Sequence, residues 1–470
     1  MKFYKLLLFF IILFGFISCS SKDEAPSEIE INDFVWKGLN AYYLWQGNIS
    51  DLSDRRFTSD QQLYSYLSGF NDPNTLFESL LYQRGTTDKW SWIVDDYVAL
   101  EQSFQGTTQT TGMEFGVVKY RSQAENVFGY VRYVIPGTDA ADKGITRGMI
   151  FNEVNGTQLT ESNYRSLLFS SDSSFTITIA DYSTGNPTPT ATTITLTKSS
   201  YTENPVHIAK TLDINGQKIG YLMYNGFTSN FDAQLNQAFA QFKSDGATEL
   251  VVDLRYNGGG SVRTATRLGS MITGQFTNEV FAKQLWNEKY MSVANPESLI
   301  DRFPNTIENN VAINSLNLTK IYFITTKSSA SASELIINSL TPYIDTKTVG
   351  TTTHGKYAGS ITLYDSPSFY SKNNINPNHN WAMQPIVLEI VNKDGQNQKD
   401  GIPPTVELDE DYGNLGVLGE ANEPLLERTI QLITTGSRAS SNLPFKLEVI
   451  DNSKSNTPTY NNMYVTLHRN

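Results

Sequence analysis

Three stretches of the chain hold residue types whose spacing can do chemistry. The first is Val251-Val252-Asp253-Leu254-Arg255-Tyr256-Asn257, which runs into Gly258-Gly259-Gly260. Glycines after a strand permit a tight turn whose N–H groups point at a ligand. No Gly-Lys-Ser/Thr follows them, which excludes a phosphate loop. The second stretch is Ser328-Ser329-Ala330-Ser331-Ala332-Ser333-Glu334. Small residues at a strand-to-helix junction let a serine hydroxyl stand clear with backbone donors beside it. The third, Val349-Gly350-Thr351-Thr352-Thr353-His354-Gly355-Lys356, supplies a base. A lysine takes a hydroxyl proton once burial lowers its pKa from about 10.4 toward neutrality. On an extended segment His354 and Lys356 face the same side, so parity leaves both as candidate bases.

The elements that must position these residues are legible as hydrophobic patterns. Lys218–Tyr224, Glu249–Leu254 and Ile321–Thr325 are short, nearly continuous apolar runs, and Phe231–Phe242 between the first two has helical spacing. Buried strands alternating with helices predict an α/β sheet covered on both faces. Upstream, Val127–Ile135, Phe175–Ile179 and Thr188–Thr197 carry β-branched and aromatic residues bounded by turn residues, which predicts strands. Ile31–Trp45 and Asp60–Phe70 have helical stripes, the second broken by Asn71-Asp72-Pro73-Asn74. Two short helices bury little by themselves, so this region is expected to pack on a later domain. Phe445–Ile450 and Met463–Leu467 are weak strand candidates in a polar tail.

Gly112-Met113-Glu114-Phe115-Gly116, then Val134–Ala141 (VIPGTDAA), then Gly144–Gly156 (GITRGMIFNEVNG) resemble, in this order, a bacterial PDZ domain over roughly 88–200. The resemblance implies that residues 112–116 form a loop whose N–H groups take a peptide's terminal carboxylate beside an open strand edge. Glu114 stands where the family has glycine, and a negative side chain there works against carboxylate capture.

The glycine turn, the serine run, the Gly-Lys pair and Gly401-Ile402-Pro403-Pro404-Thr405 together resemble the C-terminal processing, or tail-specific, peptidases over about 88–425. These are Ser-Lys proteases with a ClpP/crotonase-like fold. The resemblance implies Ser331 as nucleophile and Lys356 as base, twenty-five residues apart as in the family. It implies an oxyanion hole from the N–H groups of Gly258 or Gly259 and Ala332, and Glu334 as a residue that helps orient the lysine. Ser329 and Ser333, as small residues beside Ser331, are expected to serve packing and capping. Many members have an aspartate eleven residues after the nucleophile; Pro342 stands there and Asp345 is out of register, which implies a pair rather than a three-residue relay. No cofactor is implied.

Lys2 and Lys5 precede the apolar run Leu6–Ile17, too short to span a bilayer and typical of a secretory signal. Ser18-Cys19 resembles a bacterial lipobox with Phe16 in place of the usual leucine, which implies Cys19 as the acylated first residue of the mature chain. Ser20-Ser21-Lys22-Asp23-Glu24 resembles the acidic export signal of surface-exposed Bacteroidetes lipoproteins. The expectation is a lipid-anchored protein of the bacterial envelope, at the periplasmic or the outer face of the outer membrane.

The chain has 470 residues, 39% hydrophobic and 18% charged, which excludes a wholly disordered protein. With 36 Lys+Arg against 48 Asp+Glu the net charge is −12, which argues against nucleic acid as a partner. One cysteine excludes a disulfide framework and a multi-Cys zinc site, and four scattered histidines with no HExxH give no metal helix. The expected division is a signal peptide (1–18), a tether (19–30), an N-terminal helical region (31–87), a PDZ domain (88–200), a Ser-Lys peptidase domain (201–436) and a tail (437–470). Protein or peptide substrates are the expected partners, with membrane contact only through the lipid. Two rival functions remain: a catalytically silent peptide-binding lipoprotein on the same fold, and a glycan-binding surface lipoprotein suggested only by the 12% aromatic content.

Overall fold

The computed structural model describes residues 25–123, 125–438 and 446–467. Residues 1–24, with the apolar leader, Cys19 and half of the expected tether, lie outside them. The centre is a six-stranded sheet in the order Val206–Ile214, Gln217–Tyr224, Glu249–Asp253, Lys320–Thr325, Asp345–Gly350 and Val406–Glu407. The first two strands form an antiparallel hairpin and the remaining pairings are parallel. Parallel strands must be covered on both faces, which is why their sequences are apolar without alternation. Helices Asp232–Ser244, Val262–Thr273 and Ala332–Leu340 supply Phe239, Leu268 and Ile336 to the core on one face. Helix Pro424–Thr435 supplies Leu425, Leu426 and Ile430 against Val251, Ile324 and Val349 on the other.

A second six-stranded sheet stands at the C-terminal ends of these strands, in the order Gly260–Ser261, Met463–Tyr464, Ala358–Ser360, Ile386–Val391, Val280–Trp286 and Ile300–Arg302. The N-terminal helices pack on this body. Phe34, Val35 and Leu39 of Glu30–Tyr42 share one apolar cluster with Leu363 and Met383. Asn71-Asp72-Pro73-Asn74 does more than end the second helix, Asp60–Leu67. The Asp72 side chain accepts from Asn74 N, and Pro73 opens a third helix, Pro73–Ser79.

A separate sheet module leaves and rejoins the core through the ribbon Thr107–Thr110 with Ser199–Thr202. Its main sheet runs Val449–Asn452, Met113–Lys119, Val127–Val134, Ile150–Val154, Ser174–Asp181 and Thr188–Thr197, with Thr157–Gln158 paired to the fourth. Phe115, Val131, Phe151 and Ile177 fill one side of it.

A buried ionic network joins module to core. Arg255, fully buried, donates from Nε to Asp253 Oδ1 (2.9 Å), from Nη1 to Glu423 Oε1 (2.6 Å) and from Nη2 to Glu423 Oε2 (3.0 Å). Arg147 of the module donates to the Tyr256 hydroxyl (2.7 Å) and to Glu410 Oε1 (3.0 Å). Tyr256 in turn donates to Glu410. Removing one member leaves buried charge unpaired, so Arg255→Ala is expected to lower stability by roughly 3–5 kcal/mol, read from the urea midpoint. An unchanged midpoint would show that the network carries no net load.

Candidate active site

The strand Lys320–Thr325 ends in a loop that delivers Ser331 to the N-terminus of helix Ala332–Leu340. The small side chains of this loop let it pack against the glycine turn. Ser329 Oγ donates to Leu254 O (2.7 Å) and Ser333 Oγ donates to Asn257 O (2.9 Å). Those serines are therefore spent on packing and capping. Ser331 differs. It is fully buried, its φ of +64° is a left-handed conformation that costs a β-carbon residue about 1–3 kcal/mol, and its hydroxyl has no hydrogen-bond partner among the described residues. A strained turn that holds an unbonded hydroxyl beside a helix N-terminus suits a nucleophile.

Glu334 is the junction of the site. Its Oε2 accepts from the backbone N–H of Ser331 (2.8 Å) and of Lys356 (2.9 Å). Its Oε1 accepts from Thr353 Oγ1 (2.5 Å) and Gly355 N (2.6 Å). Burial pushes its carboxyl above the usual range while these four donors pull it down. The expectation that Glu334 orients the lysine is thereby made specific: it holds the main chain on either side of the cleft, with no bond to the ammonium.

Lys356 is 2% exposed, and burial lowers its amine to about 7. Asp88 and Glu334 oppose that shift by their charge. The indole of Trp90 lies 5.6 Å from Nζ, and Asp88 is fixed by the Tyr43 hydroxyl (2.8 Å) and by the N–H groups of Trp90 (3.1 Å) and Ser91 (2.9 Å). Asp88 and Trp90 escaped the sequence reading because they sit far upstream in no motif. Ser331, Glu334 and Lys356 line one cavity, with Leu335, Tyr357, Ile390 and Met463, in which only about 20 Å³ is free. That is room for about one water. His354 does not line it. Its ring is lowered to about 4 by burial and by the charges of Lys327, Lys356 and Lys89.

The glycine turn faces Ser331 directly. A β-carbon on Gly259, whose φ is +109°, would lie 2.6 Å from Ser331 Cβ and 2.9 Å from Ala332 N. The Gly259 N–H donates to Asn257 Oδ1 (2.9 Å) and is thus engaged within the turn itself. Gly112–Gly116 does not form the expected loop. Met113–Lys119 is a strand rather than a loop, and its outer edge, expected to be open, is covered by Val449–Asn452. The expected tail is likewise docked over 446–467, with Val449–Asn452 in the module sheet and Met463–Tyr464 in the second sheet of the core.

Two family profiles match this chain, Peptidase family S41 over residues 218–408 and Peptidase S41 N-terminal domain over residues 30–92, together more than half of its length. The chain belongs to peptidase family S41. It is 31% identical over 90 residues to a carboxyl-terminal-processing protease of Picosynechococcus sp., a stretch covering 19% of this chain and 22% of that protein. It is 26% identical over 148 residues to a chloroplastic C-terminal processing peptidase of Tetradesmus obliquus, covering 29% and 32%. The chain thus matches less than a third to about a third of these curated relatives' lengths. The fold is similar to the crystal structure of an S41 protease candidate from Bacteroides fragilis, at TM-score 0.65 and 23% identity over 86% of this chain and 97% of that one. It is also similar to the photosystem II D1 C-terminal processing protease, at TM-score 0.50 and 20% identity over 85% and 100%. The mixed α/β architecture is that of S41 proteases.

The buried amine sets a stability test for this S41 chain. Between its folded value of about 7 and the ordinary 10.5, the unfolded chain binds more protons, so the lysine's penalty is full below pH 7 and shrinks as pH rises. Lys356→Met is therefore expected to gain roughly 2–3 kcal/mol more stability at about pH 6.5 than at about pH 9. An equal effect at both would mean that the amine is not desolvated.

Proposed function

We propose that this chain is a serine endopeptidase of the C-terminal processing type, working through a Ser331–Lys356 pair. The observation that carries the reading is the buried lysine, lowered to about 7, in the same cavity as an unbonded serine hydroxyl. In this mechanism Ser331 Oγ attacks the scissile carbonyl while the neutral Lys356 amine takes its proton. The N–H groups of Gly258 and Ala332 hold the developing oxyanion, an effect for which loss of one donor typically costs about 10²–10³ in turnover. The ammonium then protonates the leaving amine, and water repeats the sequence on the acyl-enzyme. Glu334 contributes by fixing the backbone of both partners, and is a positioning residue. His354 would have to act from outside the cavity, which disfavours it as the base.

The sheet module is read as a PDZ domain, its strand Met113–Lys119 serving as the peptide-binding edge. Cys19 is read as the lipidated residue of an envelope lipoprotein, which places the peptidase at a membrane surface without spanning it.

Ser331→Ala is expected to abolish cleavage of an unfolded protein such as casein, whereas the parent chain cleaves it. A chain that binds casein and cleaves it in neither form would be the silent scaffold instead. The kcat/KM of the parent chain is expected to rise about tenfold per pH unit below pH 7 and to level above it, because the amine must be neutral. A profile that turns near pH 4 would follow His354, and a flat one would exclude both bases.

A further inference from the structure

The edge of Met113–Lys119 carries a segment of the same chain. Val449 stands opposite Val118 and Asn452 opposite Gly116, antiparallel. Lys119 N donates to Glu448 O (3.0 Å) and Ser453 N to Phe115 O (2.9 Å). At the end of this ladder Phe115 N donates to Ser453 Oγ (3.1 Å), and that hydroxyl donates to Glu114 Oε2 (2.5 Å). A peptide's terminal carboxylate at this point would meet the Glu114 carboxyl group. A serine hydroxyl inside a continuing chain gives it a donor. Glu114 thus favours an internal strand over a free terminus, by penalising the wrong ligand. Asp451 is held from the other side by the Tyr164 hydroxyl (2.9 Å), and Lys454 Nζ by Glu203 Oε2 (3.1 Å).

The segment then turns and enters the catalytic cleft. Met463 and Tyr464 pair in parallel with Gly260 and Ser261, Tyr464 also bridges Ser360, and Val465 N donates to Ser360 O (3.0 Å). The Asn462 carbonyl oxygen lies 2.7 Å from the point where a Gly259 β-carbon would sit, the same point that is 2.6 Å from Ser331 Cβ. Lys356 Nζ donates to the Asn461 carbonyl, and Asn462 Oδ1 lies 3.5 Å from it. Met463, 1% exposed, lines the cavity beside Ser331. A main chain and an apolar side chain occupy the cleft as an extended substrate would.

We propose that residues 449–464 are a pseudosubstrate that the chain binds to itself, held on the module edge and laid through the Ser331 cleft until a protein substrate displaces it. The proposal rests on the peptidase reading for its consequence, inhibition, but not for the binding itself. The bound segment ties the Lys356 amine to Asn461 and leaves the Ser331 hydroxyl unbonded, so it holds the base of the pair and makes no bond to the nucleophile. Its two pairings are short, a four-residue strand and a two-residue strand, which suits a segment that opens locally while the core stays folded.

The test uses the full chain and its Met463→Glu variant, which puts a carboxyl group into the apolar cavity. If the closed form holds at least nine molecules in ten, the variant is expected to cleave casein with a kcat/KM at least about tenfold above the parent. A synthetic peptide of residues 446–467 is expected to inhibit the variant by raising KM alone. A variant no faster than the parent, together with a peptide that does not inhibit, overturns the proposal while leaving the peptidase reading intact. Hydrogen exchange on the unsubstituted and Ser331→Ala chains keeps the two readings apart. Excess casein is expected to raise exchange in 449–464 in both chains and to leave Asp345–Gly350 protected. Exposure of the segment with no cleavage by any form would sink the peptidase reading and sustain the self-binding. Unchanged exchange in both would sink the self-binding.

Discussion

The site depends on one buried carboxylate. Glu334 sits one turn into helix Ala332–Leu340 and gathers donors from two segments that no sequence neighbourhood connects: Ser331 N on the nucleophile's side, and Thr353 Oγ1, Gly355 N and Lys356 N on the base's side. A buried carboxylate without partners would be expensive, and one with four donors is stable only in the geometry that supplies them all. The same atoms that satisfy Glu334 therefore set the separation of hydroxyl and amine. The strained backbone at Ser331 is tolerated because one of those four bonds ends on its N–H.

Dryness is the second requirement, and it is met from elsewhere in the chain. The N-terminal helices share the peptidase core, and the segment that follows them brings Trp90 over the Lys356 amine and Asp88 near it. Burial in the packed core removes water and lowers the amine, and the Asp88 and Glu334 charges keep it from falling further. The S41 N-terminal domain and the catalytic domain thus meet at the base, which gives the pairing of the two profiles on one chain a physical reason.

What the sequence disclosed and what it hid follow from range. The glycine turn, Ser331 and Lys356 were legible because small residues in a fixed order at strand ends leave a local signature, and the continuous apolar runs gave the parallel sheet for the same reason. Asp88 and Trp90 act through contacts made only on folding and carry no local pattern, and Thr353, though within the stretch that holds the base, shows its role only through its bond to Glu334. The loop at residues 112–116 is an expectation from the PDZ resemblance alone. In the fold, Met113, Phe115 and Val117 alternate into the module's core, and that period of two makes them a strand. The segment 446–467 offers only the weak strand candidates Phe445–Ile450 and Met463–Leu467, and the strands found there, Val449–Asn452 and Met463–Tyr464, exist because edges elsewhere receive them.

The central claim is an uncharged amine at Lys356 near neutral pH, and direct titration tests it most plainly. With ¹³C-labelled lysine in the full chain, the resonance missing from Lys356→Met is expected to titrate near 7, apart from the other lysines. A resonance that titrates with the rest near 10.4 would contradict the account, because an amine charged at neutral pH cannot accept the serine proton.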